Sequence, residues 1–248
     1  MLEEIFSVGL LKIIGVNIVL SGDNAVVIAL AARSLPAKQQ KQAVLWGATA
    51  AVVLRIVLTL VAVALLTLPW IKLVGAVALL WIGIHLLVPE SEHDDGIEAG
   101  PTLMAAIRTI LIADLVMSVD NVIAVAAAAG GSLVLLFLGL AISIPIVIFA
   151  STALIKVMER WPVIITIGAA LIGYVAGEMA ISDPAISGWE ESIVEMVHQQ
   201  FGIAGFHPGV VCGLAGAILV VAIGKWLARR HEAAGATPEL ETSATADH

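Results

Sequence analysis

Four acidic residues stand inside long apolar segments of the sequence: Asp23, Asp114, Asp120 and Glu178. An ionised carboxylate at the centre of a lipid bilayer costs about 2.5–3.5 kcal/mol on insertion scales, so such residues rarely face lipid and usually mark a pathway. The polar side chains around them are amides and hydroxyls, namely Asn17, Ser21, Asn24, Ser118 and Asn121. Because these are oxygen ligands, they suit Mg²⁺, Ca²⁺ or Mn²⁺ better than zinc or copper. The residues therefore predict a site for a hard divalent cation.

The same polar pattern occurs twice. Shifting the chain by 97 residues places residues 17–29 on residues 114–126, and the polar positions are the ones that match. On a helix, positions i, i+4 and i+7 share one face. The shared faces are Asn17, Ser21 and Asn24 in the first copy, and Asp114, Ser118 and Asn121 in the second. This recurrence indicates an internal repeat.

The aspartates of the two Asp-Asn pairs point about 100° away from the neighbouring asparagine on a regular helix. An unwound turn would let Asp and Asn converge on one ion and would also free backbone carbonyls as ligands. Gly22, directly before Asp23, favours such a turn in the first copy. Val119, directly before Asp120, disfavours it in the second.

Four further side chains have alternative roles. Glu178 is either a ligand or a proton carrier, since burial favours the protonated carboxyl. His85 is expected to be a hydrogen-bonded packing residue rather than a ligand. Met117 could offer a soft thioether that favours Mn²⁺, although methionine in a membrane helix is more often a packing residue. Arg55 lies mid-segment and should pair with one of the carboxylates, either holding the site together or competing with the ion.

The composition sets the class of protein. Of 248 residues, 60% are hydrophobic and 13% charged, with a mean hydropathy of +1.05, which excludes an ordinary soluble domain. The net charge of -8 argues against nucleic-acid binding, and the single Cys212 excludes an internal disulfide. The acidic start of the chain, Met1-Leu2-Glu3-Glu4, differs from a cleaved signal peptide. We expect an all-α polytopic membrane protein.

Seven segments are long and apolar enough to cross a bilayer, which takes about 20 helical residues. They lie near 8–31, 44–66, 70–88, 104–128, 133–155, 163–181 and 207–228. Nine basic residues fall on one side: Arg33, Lys38, Lys41, Arg108, Lys156, Arg160, Lys225, Arg229 and Arg230. The positive-inside rule then places the N-terminus outside and the C-terminus in the cytoplasm. Residues 89–103 form an acidic cytoplasmic linker, and residues 229–248 a disordered cytoplasmic tail.

A second shift, of 93 residues, relates the third and sixth segments. It places Gly75 on Gly168, Trp81 on Tyr174 and His85 on Glu178. Repeat A (about 8–88) and repeat B (about 104–181) thus have three spans each, and the segment 207–228 is an extra helix. Because three is odd, the second repeat is inserted upside down, an architecture of secondary transporters whose substrate site lies near the bilayer midplane.

These motifs resemble the TerC family of integral membrane proteins. The resemblance rests on Ser21-Gly22-Asp23-Asn24, on Ser118-Val119-Asp120-Asn121, and on residues 173–179 with the following Ser182-Asp183-Pro184. It covers about residues 1–228, a single transmembrane domain, and is similar to the short members of the family within a superfamily that includes LysE-type exporters. The resemblance implies seven spans in the bacterial cytoplasmic membrane and export of Mn²⁺, with the acids of both Asp-Asn motifs needed for transport.

The sequence therefore predicts a secondary transporter that exports Mn²⁺ as its substrate, with proton exchange as the simplest coupling. No ATP-binding Gly-rich loop and no nucleophile-base pair are found in the sequence, so an enzyme is not expected. Two alternatives stay open: a LysE-like exporter of small organic solutes, and a non-transporting scaffold in metal or tellurite stress. We expect no prosthetic cofactor and no nucleic acid; the partners are the bilayer and the metal ion, with a homo-oligomer as an alternative to a monomer.

Overall fold

The computed structural model describes Gly15, residues 22–66, 69–88, 102–129, 133–186, Gly188, Ser192 and residues 207–235. Side chains are described within these ranges except at 60–66, 120–133, 135–136 and 232–235. Over this part of the chain the fold is all-helical. The helices are α1 (Gly22–Ala32), α2 (Ala37–Leu66), α3 (Ile71–His85), α4 (Leu103–Ala129), α5 (Leu133–Arg160), α6 (Val163–Ile181) and α7 (Pro208–Gly235).

Several of these helices suit a membrane. In the described residues, stretches of α2, α5, α6 and α7 are long and apolar enough to cross a bilayer, while α1 and α3 are shorter apolar helices. The prediction of a multi-pass helical membrane protein is confirmed at this level. The count of seven spans, the inverted repeat and the orientation of the termini stay predictions.

The ends of two helices differ from the predicted spans. Helix α2 begins at Ala37, seven residues before the predicted start at 44, and α7 continues to Gly235. Residues 229–235 are therefore helical, where the sequence had predicted the start of a disordered tail. The reason is that a span was predicted to end where apolar residues end, whereas a helix continues through good helix formers such as Lys, Gln, Arg and Ala. The remainder of the tail, 236–248, and the linker from 89 to 101 lie outside the described residues.

Among the described helices from α2 onward, α6 and α7 make the most extensive contact, and they run antiparallel. Their backbones approach closely because glycines lie at the contact. A Cβ atom on Gly177 would clash with the carbonyl oxygen of Cys212, and one on Gly173 would meet the carbonyl oxygen of Gly216. Small residues four apart are the usual means by which membrane helices pack at short distance. We call this contact the glycine interface.

Helix α3 is held by an opposite charge at each end. At its start the buried Asp183 carboxylate accepts hydrogen bonds from the backbone N–H groups of Trp70, Lys72 and Leu73, at 2.9–3.1 Å. At its other end Arg33 Nη2 donates to the carbonyl oxygen of Leu86, at 2.9 Å. Both charges have the sign that the helix dipole favours. The helix is thereby tied to the residues that follow α6 and α1.

Positions that the sequence paired by the shift of 93 make comparable contacts. A Cβ atom on Gly75 of α3 would lie 2.7 Å from Val116 of α4, and one on Gly168 of α6 would lie 2.8 Å from Val26 of α1. In each case the third helix of one predicted repeat meets the first helix of the other.

Candidate functional site

A buried ion pair joins α2 to α4. Arg55 Nη2 donates to Asp114 Oδ1, and Arg55 Nε donates to Ser118 Oγ at 3.0 Å. Ser118 Oγ in turn donates to Asp114 Oδ2 at 3.2 Å. Arg55 is 3% exposed, Asp114 5% and Ser118 0%. The predicted pairing of Arg55 with one of the four carboxylates is therefore confirmed, and so is the shared face of Asp114 and Ser118.

Asp23 of α1 completes this group. Its carboxylate is close enough to both Arg55 and Asp114 to interact with them electrostatically. Its Oδ1 also accepts a hydrogen bond from the backbone N–H of Asn24, at 2.7 Å. Asp23, Arg55, Asp114 and Ser118 thus bring together α1, α2 and α4, and we call them the Arg55 cluster.

Neighbouring candidates line the same region of α1 and α4. Asn24 is 4% exposed, and Met117 is 3% exposed within the hydrophobic core. Gly22, Asp23 and Asn24 are all helical, so no unwound turn lies at Gly22 itself. This corrects the expectation for the first copy, since glycine permits an unwound turn but does not impose one. Helix α4 continues without interruption past Val119, as that residue led us to expect.

Glu178 and His85 lie elsewhere, on α6 and α3. Glu178 is exposed, accepts a hydrogen bond from Tyr174 Oη at 3.2 Å, and has its Cγ 3.8 Å from where a Cβ of Gly209 would stand. It therefore lies beside the first turn of α7. His85 is exposed at the end of α3, where its Nδ1 lies 2.9 Å from the carbonyl oxygen of Trp81. The centroids of the His85 and Trp81 rings are 4.2 Å apart.

The remaining predicted ligands are outside the described side chains. Asn17 and Ser21 fall in residues 16–21, and the side chains of Asp120 and Asn121 are not described, although both residues belong to α4. Six helical residues separate Asp114 from Asp120, or about 9 Å along the axis. Among the described side chains, no group of three or more His, Cys, Asp and Glu is placed to hold a metal ion.

The Arg55 cluster carries an excess of negative charge. Two carboxylates against one guanidinium leave a net charge of -1 when all three are ionised. A buried carboxylate that loses its cationic partner is destabilised by several kcal/mol, so Asp114 needs Arg55, another cation or a bound proton. A cation that enters the cluster can therefore exchange with the guanidinium as the partner of Asp114.

Two structural features were not predicted from the sequence. One is the cap on α3: besides the three N–H donors before and within that helix, Asp183 Oδ1 accepts from the N–H of Ala185 at 2.7 Å. No local signal shows that a residue after α6 caps a helix 110 residues earlier. The other is the glycine interface, for which the sequence does carry a signal, the Gly-x-x-x-Gly spacings Gly173/Gly177 and Gly209/Gly213.

These helices and their buried charges define a multi-pass helical membrane protein. The chain belongs to the TerC family: the model for "Integral membrane protein TerC family" matches residues 2–232. It is 43% identical over 186 residues to the uncharacterized membrane protein YjbE of Bacillus subtilis (strain 168), covering 75% of this chain and 85% of YjbE. It is also 29% identical to two further uncharacterized membrane proteins of that strain: YkoY over 196 residues, 69% of this chain and 59% of YkoY, and YceF over 170 residues, 65% and 66%. No solved structure matches the chain significantly.

Proposed function

We propose that this protein is a secondary transporter that exports divalent cations, with Mn²⁺ as the principal substrate. The observation that carries the proposal is the Arg55 cluster, in which a buried guanidinium and a buried carboxylate pair beside the half-buried carboxylate of Asp23, among apolar helices of a membrane protein. Such groups are costly in a bilayer and are used mainly for ion and proton pathways. Membership of the TerC family is consistent with a transport role.

In the proposed cycle, the cation replaces Arg55 at Asp114. A divalent ion that binds between Asp23 and Asp114 repels the guanidinium, which then moves toward other acceptors. When the ion leaves, Arg55 pairs with Asp114 again and prevents the buried carboxylate from remaining unpaired. Arg55 thus acts as a built-in competitor that lowers the affinity for the ion enough to permit its release.

The second predicted half of the site comes from Asp120 and Asn121, nearly two turns beyond Asp114 on α4. In an inverted repeat, Asp23 and Asp120 are equivalent, and a site between them lies near the midplane. The crossed contacts of Gly75 with α4 and of Gly168 with α1 support such a repeat. Proton exchange through a carboxylate is the proposed coupling, and the cytoplasmic membrane the proposed location, with the N-terminus outside.

The choice of Mn²⁺ rests on oxygen ligands together with one sulfur. Carboxylate and amide oxygens accept any hard divalent cation, whereas a thioether favours Mn²⁺ over Mg²⁺ and Ca²⁺. Met117 lies three residues after Asp114 and directly before Ser118 in the sequence. Its side chain is buried. Its place in the hydrophobic core also gives it a packing role, so Met117→Leu separates the two: selectivity changes only if the sulfur binds the ion.

The proposal is tested with the full chain in liposomes that enclose a dye quenched by Mn²⁺. Wild type is expected to quench the dye, whereas Asp23→Asn and Asp114→Asn are expected to slow quenching at least tenfold. Glu159→Gln, which removes an exposed carboxylate at the end of α5, is the matched control and should transport normally. An imposed pH gradient should change the wild-type rate, and cells expressing the wild type should contain less manganese. Normal quenching by both Asp→Asn variants would remove the Arg55 cluster from the mechanism.

A second candidate, export of a small organic solute, is favoured by one observation. The cluster has charges of both signs, so the carboxylate of a zwitterionic solute could pair with Arg55 and its ammonium group with Asp23. This candidate predicts no quenching by Mn²⁺ in any variant, together with counterflow of a labelled amino acid that Arg55→Lys weakens. The cation proposal predicts the reverse for both measurements.

A further inference from the structure

A groove opens on the outer surface of α6 and α7, away from the Arg55 cluster. Its volume is about 520 Å³, and its lining combines Ala170 of α6 with a face of α7 that includes Ala217, Val221, Lys225, Trp226 and Arg229. The small side chains at 170 and 217 leave the space between the two helices. The lining is thus apolar along its length and cationic toward the C-terminal end of α7.

The length of the groove matches one leaflet of a bilayer. From residue 217 to residue 229 the helix advances about 18 Å, and half of the hydrocarbon core measures about 15 Å. Because residue 229 lies near the end of the apolar stretch Pro208–His231, a groove of this length would run from near mid-membrane to the membrane surface if that stretch spans the bilayer. An extended acyl chain fits this shape, because a lipid tail spans one leaflet and ends in a headgroup at the surface.

The charges at the surface end select the headgroup. Lys225 and Arg229 are exposed and one helical turn apart, and among the described residues that line the groove none is acidic. Trp226, which lies between these two residues in the sequence, is 51% exposed. The guanidinium of Arg230 lies 3.9 Å from the centre of the Trp226 ring. Tryptophan and arginine are typical of the membrane–water interface, and basic pockets between membrane helices are suited to anionic lipid headgroups.

We propose that this groove is a binding site for an anionic phospholipid, with one acyl chain against Ala170, Ala217 and Val221 and the phosphate between Lys225 and Arg229. The site is independent of the transported ion and of the direction of transport. Its lining residues come from α6 and α7, the two helices of the glycine interface. A bound lipid therefore packs against both helices and stabilises their association.

Native mass spectrometry of the full chain in detergent measures the binding. Phosphatidylglycerol and phosphatidylcholine with identical acyl chains are titrated separately, and wild type is expected to prefer phosphatidylglycerol at least tenfold. A basic side chain near the membrane surface contributes about fivefold in affinity for anionic lipid, so Lys225→Gln/Arg229→Gln should weaken phosphatidylglycerol about 25-fold and leave phosphatidylcholine unchanged. The matched control is Lys38→Gln/Lys41→Gln, which removes two exposed charges from the first turns of α2 and should keep the wild-type preference.

The acyl-chain part is tested by filling the groove. Ala217→Phe should weaken phosphatidylglycerol and phosphatidylcholine alike, and Ile218→Trp, at a position 69% exposed, provides a second filling variant that does not disturb the helix contact. Equal affinity of wild type for the two lipids would overturn the proposal. So would a loss of phosphatidylglycerol affinity in Lys38→Gln/Lys41→Gln as large as that in Lys225→Gln/Arg229→Gln. Unchanged binding in both filled variants, or full competition by glycerol 3-phosphate, would show a headgroup site without the groove and would overturn it as well.

Discussion

Helices α2 and α4 are held together by different interactions from those that hold α6 and α7 together. Between α6 and α7, glycines let the backbones touch, and the described residues at that contact are small or apolar apart from Tyr174 and the exposed Glu178, which are hydrogen-bonded to each other. Between α2 and α4, the association includes a charged pair that is almost completely buried. Since lipid offers no hydrophobic force to drive helices together, close packing and polar contacts are the two available sources of association.

The difference indicates where function is located. A glycine contact stabilises without any need for ionised groups, so a protein that required only association could use it throughout. The Arg55 cluster instead retains charges that an apolar pair could replace at equal or greater stability. Its presence at one contact and not at the other is what the proposed transport of a cation requires. Substitutions at the two contacts should therefore differ in their consequences.

The largest effect is expected for Arg55→Met. It leaves Asp114 without its cationic partner, and removing one member of a buried pair costs about 3–5 kcal/mol. The free energy of unfolding in mixed micelles, measured with increasing denaturant, gives the loss. The double variant Arg55→Met/Asp114→Leu removes both charges and should recover most of the stability, but no transport.

Arg108→Met provides the control, because Arg108 is an exposed arginine on α4 and should lose less than about 0.5 kcal/mol. If Arg55→Met and Arg108→Met were equally stable, the ion pair would contribute nothing and the contrast between the two contacts would disappear.

A smaller loss is expected for Gly177→Ala, at the other contact. The added Cβ would clash with the Cys212 carbonyl oxygen, so α6 and α7 must separate, at a cost of about 1–3 kcal/mol. Thermal unfolding in detergent measures it. Gly15→Ala is the matched control: none of the described residues lies within 4 Å of a Cβ there, and alanine is the better helix former. Transport per folded molecule should be retained by Gly177→Ala, and a selective loss of transport would contradict a purely structural role.

The sequence predicted those parts of the fold that depend on local composition. Helix α6 lies at 163–181 as expected, because its apolar segment is bounded by Pro162 on one side and by Ser182 and Asp183 on the other. The pairing of Arg55 with a carboxylate also followed from composition, since an arginine in an apolar segment needs a partner. The identity of that carboxylate, Asp114, could not be predicted from the sequence, because it depends on how α2 packs on α4.

Glu178 shows the same limit more clearly. As an acid in an apolar helix it was grouped with the three aspartates, but the structure places it beside α7 and next to Tyr174. Helical periodicity relates residues within one segment, whereas the distance between segments is decided by packing. The Asp183 cap likewise joins residues about 110 apart in the sequence.

The smallest of the effects on stability is expected for Asp183→Ala, which tests the attachment of α3 to the end of α6. Loss of a cap costs about 1–2 kcal/mol, measured as the difference in unfolding free energy from wild type. Burial raises the pKa of Asp183, but hydrogen bonds from the N–H groups of Ala185, Trp70, Leu73 and Lys72 outweigh it and hold the pKa below its ordinary value.

A carboxylate with a lowered pKa contributes its full stability above the ordinary value of about 3.9 and loses it as the pH falls toward the lowered one. The difference between wild type and Asp183→Ala should therefore be constant from pH 8 to about pH 5 and shrink only below pH 4. Glu159→Ala, at an exposed carboxylate, should show almost no difference at any pH. A difference for Asp183 that vanished already between pH 6 and 5 would mean that the carboxylate is not held by these four N–H groups, and α3 would then depend on its packing against neighbouring helices and on the Arg33 hydrogen bond at its other end.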